Sequence, residues 1–285
     1  QKNYIDLFYI PTKVKICNEF IIKSWKKKLK IFSPYLIHPL YEAMKILPGS
    51  DVHFIKIFNG ERERDVNNLY KKCQPILSFN EEEIKKGEET LKKFGLNNKD
   101  KLVCLAIRDG AYDTMRISSR FRDWSYQEFR NNNLDNYKLA IEELTKRGYF
   151  VFRMGVVVEK PLISKNPKII DYANSDMRSD FMDIYIASKC SFAVTSMFGI
   201  QALFELFDKP CAQISIPLAA AHTHCEKNYL LTKHHILKKN KKRLSISEVF
   251  KSGAAFSHDA QFFKKHGIDI LENSPEEIKD LVLEV

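Results

Sequence analysis

From about residue 100 onward, short apolar runs alternate with amphipathic stretches. "KLVCLAI" (101–107) is apolar and β-branched at strand length, and "YFVFRMG" (149–155) and "KIIDYA" (168–173) repeat that signal. Residues 133–148 place Leu139, Ile141 and Leu144 on a helical pattern, with Gly148 where a helix C-cap belongs. "SDFMDIYIASKC" (179–190) predicts a helix capped by Ser179 or Asp180. Phe192 to Val194 predict a strand that stops at Thr195-Ser196. An apolar helical pattern then ends at Asp208-Lys209-Pro210, and a further strand begins at Cys211. The tail from Ser274 predicts a helix with Pro275 in its first turn and Glu277 at the capping-box position. Strands alternating with helices imply βαβ crossovers and a parallel sheet.

The first 78 residues read as a separate, short α/β domain. "YIDLFYI" (4–10) and "VHFIKIF" (52–58) predict strands. "YLIHPLYEAMKILPG" (35–49) predicts a helix, with Pro39 near its start and Pro48-Gly49 ending it. Residues 79–97 hold a charged amphipathic helix that bridges to a Rossmann-like domain over 98–285.

The chain has 285 residues, 44% of them hydrophobic and 29% charged, the balance of a soluble globular protein. No apolar run reaches the length of a membrane span, and no stretch has the parts of a secretory signal. None of the six cysteines forms a CxxC pair. Cys104, Cys190 and Cys211 sit in or beside apolar runs, as reduced core thiols do, so a cytoplasmic chain is expected. His222-Thr223-His224-Cys225 lacks the spacing of a zinc site, and no metal or other cofactor is expected. Net charge is +10, which calls for an anionic partner or for lysine-rich solvated faces. The runs Lys26-Lys27-Lys28-Leu29-Lys30 and Lys238–Arg243 do not interleave with aromatics, and no nucleic-acid motif is present. The first run suits peripheral contact with an anionic membrane.

In open α/β sheets, ligands bind outside the carboxyl ends of the strands. Three such ends carry groups suited to phosphate. The first is Arg108-Asp109-Gly110, with Tyr112 close behind. The second is Arg153 and Gly155. The third is Thr195, Ser196 and Gly199 leading into a helix. Each has a plainer reading. Thr195 and Ser196 serve equally as N-caps, Arg178 pairs with Asp180 or Asp183, Arg108-Asp109 is a local ion pair, and Gly155 is a turn glycine.

Several ordered pieces resemble a family of bacterial surface-carbohydrate glycosyltransferases. They are "RD-x-AY" (108–112), "FRN" (129–131) followed by Tyr137, "RMG" (153–155), "RSDFMDIY" (178–185) and "GI-x-x-x-EN-x-PEEI" (267–278). The resemblance covers about residues 75–285. It implies a GT-B-like architecture of two Rossmann-like domains, the N-terminal one short and on the acceptor side. A nucleotide-sugar donor would lie mainly on the C-terminal domain, and the acceptor would be a surface glycan or lipid-linked sugar at the inner membrane face. Arg108, Tyr112, Arg153, Gly155, Arg178, Thr195, Ser196 and Gly199 are the candidate donor and phosphate ligands. Asp109, and after it Asp113, is the candidate base, and Arg130 and Asn131 are assigned to the acceptor or the cleft. Two features depart from the common pattern. Glu205 lies late in its helix, and Ser196-Met197-Phe198-Gly199 stands where a Ser-Gly pair is usual. The alternatives are a non-hydrolysing nucleotide-sugar epimerase and a non-catalytic module binding glycan or nucleic acid.

Overall fold

The computed structural model describes residues 5–54, 77–115, 125–196, 198–221 and 227–285. They belong to two compact units, Gln1–Phe79 and Asn80–Val285.

In the first unit, β1 (Phe8–Tyr9) pairs in parallel with β2 (Ile31–Phe32). Between them runs α1 (Glu19–Lys26), capped by Asn18, whose side chain accepts from the Ile21 amide at 2.9 Å. α2 (Pro34–Met44) begins at a proline, whose missing N–H is no loss in a first turn. The strand expected over 52–58 is not formed in its described part. Gly49 turns left-handed at φ 77°, the Ser50 amide donates back to the Leu47 carbonyl, and Ser50–His53 close into a 3-10 turn. Residues 55–58 lie outside the described residues.

The second unit runs α3 (Glu81–Lys93), β3 (Leu102–Ala106), α4 (Ala111–Met115), α5 (Lys138–Lys146), β4 (Phe150–Arg153), β5 (Ile169–Ile170), α6 (Asp180–Lys189), β6 (Phe192–Thr195), α7 (Gln201–Leu206), β7 (Cys211–Ile216), β8 (Asn228–Thr232), β9 (His234–Leu237), α8 (Ile246–Lys251), α9 (Ala260–Lys265), β10 (Ile268–Leu271) and α10 (Pro275–Glu284). Six strands form one sheet in the order β5-β4-β3-β6-β7-β8, with every neighbouring pair parallel. This is an α/β unit of Rossmann-like type.

Alternation along the strands sends side chains to two covered faces. Val103, Leu105, Val151, Val194, Ala212 and Ile214 join Ile141, Leu144, Ile278 and Val282 in one core, under α5 and α10. Cys104 faces the other way, its thiol 3.9 Å from the Ile186 carbonyl of α6, and Phe152 meets Phe94 edge to face. On α5 the buried face is Ala140, Ile141 and Leu144, whereas Leu139 is exposed, one residue off the stripe. The helix read as a bridge, α3, belongs to the second unit, where Gly87 lies against the Tyr185 ring of α6. Beyond the sheet, β9 and β10 pair antiparallel and build a satellite core with Val249 and Phe263. Among the described residues, no helix is long and apolar enough to cross a membrane.

Candidate functional site

Strand order reverses between β3 and β6, because the chain runs outward to β5 and returns at β6. Loops leaving two such strands diverge and open a crevice at their carboxyl ends. Here the two sides are tied together, the Arg108 amide after β3 donating to Ser196 Oγ after β6 at 2.7 Å and the Ser196 amide donating to the Ala106 carbonyl at 3.1 Å. The Arg108 guanidinium is held on two sides. Its Nε donates to Asn131 Oδ1 at 3.1 Å and its Nη2 to Asp113 Oδ2 at 2.5 Å. Gly110 makes room for this. It sits at φ 83°, and a Cβ there would fall 2.6 Å from Asn131 Nδ2.

Two further cations join Arg108. Lys233 follows β8, is 4% exposed, and donates from Nζ to the Asn131 carbonyl. Burial pushes its ammonium down to about 8, against the pull of the Glu272 carboxylate. Arg130 donates to Gln127 Oε1 at 3.0 Å, and burial with Arg108 beside it lowers its pKa. Three positive side chains therefore gather around residues 130–132, at the place where the fold offers a ligand crevice. Asp113 is the carboxylate paired with Arg108.

The other candidates sit differently. Arg153 is 1% exposed, with Nη1 on the Lys160 carbonyl at 2.9 Å and ion pairs at 3.4 Å to Asp109 and Asp171. It is an internal cross-tie, not a surface fork for phosphate. Asp109 is bound into the same tie and also accepts from the Ala111 and Glu159 amides, at 3.1 and 2.8 Å. Gly155 packs tightly, since a Cβ there would meet Val158 Cγ1 at 2.7 Å. Arg178 pairs with Asp183 at 2.6 Å and reaches Asp180 at 4.0 Å, as its plainer reading has it. Burial raises the Asp183 carboxyl while Arg178 pulls it down. Thr195 is fully buried, level with Ala106 and Gln213. Neither Thr195 nor Ser196 is an N-cap, because α7 starts at Gln201 with Ile200 before it. Gly199 has open space on its Cβ side and an ordinary φ, so no close approach by protein atoms requires glycine there. Tyr112 is part-exposed on α4. Met197 and the His222–Cys225 cluster lie outside the described residues. Among the described residues, no group of three or more His, Cys, Asp or Glu could hold a metal.

No family model, curated protein or solved structure matches this chain. The short pieces singled out in the sequence nevertheless interlock with one another. Arg108 of the first meets Asn131 of the second, and Asp109 of the first meets Arg153 of the third. Glu272 accepts from the Asn133 amide and from Asn136 Nδ2, both at 2.9 Å. Asn273 accepts from Ser215 Oγ at 2.8 Å and donates to the Thr232 carbonyl at 3.1 Å. Ser215 sits at the β7 bulge with φ 52°, a conformation that costs about 1–2 kcal/mol outside glycine. The segment before the last helix is thereby tied to the ends of β7 and β8 and to residues 133–136. Sequence reasoning passed over Lys233, and it quoted Glu272 in the last of the ordered pieces without giving it a role. Lys233 is one of many lysines in a basic chain and follows a strand whose pattern is only partly apolar, so nothing local marks it as buried.

Proposed function

We propose that the second unit binds a nucleotide sugar at the crevice between β3 and β6, and that the protein transfers the sugar to a hydroxyl of a glycan or lipid-linked acceptor. The observation that carries this reading is the convergence of Arg108, Arg130 and Lys233 at the point where strand order reverses. Fixed positive groups there stabilise the charge that builds on a departing diphosphate without reorganising. The ordered sequence pieces supply the sugar-transfer part of the reading, with a GT-B-like pairing of domains.

In such a transfer the bond from the sugar's anomeric carbon to the diphosphate oxygen breaks. The acceptor oxygen bonds to that carbon, and the acceptor's proton passes to a base. Asp113 suits the base better than Asp109. Asp109 is bound to Arg153 and two backbone amides. Asp113 is held by Arg108 itself, so a phosphate oxygen that takes its place on the guanidinium frees the carboxylate beside the reacting centre.

Thermal unfolding with a panel of UDP, GDP, CMP and dTDP sugars tests the reading, since a binder raises the melting temperature by mass action. At least one donor is expected to do so, and Arg108→Ala to abolish the shift while keeping the far-UV spectrum. A panel without effect overturns the proposal. Formation of a new epimer without release of nucleotide reassigns the chemistry to epimerisation.

A further inference from the structure

The first unit carries an apolar face that its own described residues leave open. Of α2, only Ile37 is buried. Leu36, Leu40 and Ala43 recur at spacings of four and three, which puts them on one side of the helix. Tyr35 flanks them at 82% exposure, and the turn that follows adds Ile46 at 83% and Leu47 at 60%. The one acidic residue of α2, Glu42, is neutralised by Lys45 at 2.8 Å. A cleft of about 460 Å³ opens at the head of the helix, lined among others by Tyr9, Pro34, Tyr35 and Pro39, with Lys13 also in its wall.

The charge of the same unit points to what covers this face. Residues 1–79 hold fourteen basic and seven acidic side chains, so +7 of the chain's +10 lies in this short segment. Lys23, Lys26, Lys27, Lys28 and Lys30 are all exposed, immediately before β2 and α2. A second copy of the chain would bring the same positive charge to the contact and be repelled. An anionic bilayer offers both complements at once, a negative surface for the lysines and an acyl boundary for the apolar face.

We infer that the first unit is a membrane-surface anchor that lays the Leu36–Leu40–Ala43 side of α2, with Ile46 and Leu47 of the turn that follows, into the headgroup boundary of an anionic bilayer, with the Lys23–Lys30 segment on the lipid phosphates. The inference does not rest on sugar transfer. It is tested by sedimenting the full chain with phosphatidylcholine vesicles, with and without phosphatidylglycerol. Binding is expected only with the anionic lipid, and higher salt is expected to weaken it by about tenfold or more. Replacing Lys26, Lys27, Lys28 and Lys30 with Gln should weaken it comparably. Leu36→Asp combined with Leu40→Asp should weaken it even at low salt while leaving the melting temperature unchanged. Equal binding to neutral vesicles, or none to anionic ones, overturns the inference. So does full binding by the double Leu variant, since the lysines alone would then account for attachment. A fall in melting temperature in that variant would show the face covered within the chain. A dimer in light scattering that the same variant dissolves would show it covered by a second copy. Either result also overturns the proposal.

Discussion

At the scale of single residues, pairing separates the arginines that the sequence treated alike. Arg153 ends β4 and is 1% exposed between two carboxylates, whereas Arg108 follows β3 with its side chain 14% exposed and one carboxylate, Asp113, on its guanidinium. Replacing Arg153 with Ala leaves Asp109 and Asp171, both mostly buried, without their counter-charge. A loss of about 3–5 kcal/mol is expected in urea unfolding, as for other broken buried pairs. Unchanged stability would show that the cross-tie does not hold the β3 and β4 ends together. Lys233 gives a pH signature. Its folded pKa, lowered by burial to about 8, lies below the ordinary lysine value. Between those two values the unfolded chain binds the extra proton, so this group makes the protein more stable as pH rises through that window. Below about 8 both states are protonated, and the cost of burying the charge is felt in full. The difference in stability between wild type and Lys233→Met should therefore shift in favour of wild type from pH 8 toward 10. A difference that stays flat across that window would mean that Lys233 is not buried as a cation.

At the scale of elements, caps and close approaches decide where helices start and how they pack. The Asn80–Glu83 capping box, three glutamates in the first turn and two lysines in the last suit the dipole of α3 at both ends. Glycine inside a helix ordinarily costs about 1 kcal/mol relative to alanine. Gly87 reverses this, because a Cβ would enter the Tyr185 ring. Gly87→Ala is expected to destabilise by about 1–3 kcal/mol, the usual range for overpacking. In a Tyr185→Ala background the same change should stabilise, since the helix propensity alone then remains. A double-mutant cycle by chemical unfolding measures both, and additive effects would mean that α3 and α6 are not in contact.

For the whole molecule, the core is unevenly shared. The large apolar cluster is built entirely from residues after Asn80, whereas the described part of the first unit buries little beyond Ile37 and Leu77. A fragment of residues 80–285 is expected to unfold cooperatively on its own, and residues 1–79 alone to show no sharp transition. Calorimetry of the two fragments checks this. A broad, non-cooperative melt of 80–285 would mean that its fold depends on the first unit.

Period and punctuation in the sequence marked β3 to β7 and the helices α3, α5, α6, α7 and α10, but not α4 or the elements between β7 and α10. The runs at 102–106, 150–152 and 192–194 are short and apolar because both faces of the sheet are covered. Ser179 and Ser274 cap helices by bonds reaching only three residues along the chain. Such local physics is legible in order along the chain. The crevice was legible only as strand ends carrying arginine. How each of those arginines is held depended on partners far away in sequence, Asn131 for Arg108 and Asp171 with Asp109 for Arg153. Lys233 donates to a carbonyl 102 residues distant, and its low pKa comes from burial, which no run of neighbouring residues encodes. Strand order was likewise undecided by the sequence. Each βαβ step can place the next strand on either side, and only the packing of α5 and α10 on one face and α6 on the other fixes the reversal between β3 and β6.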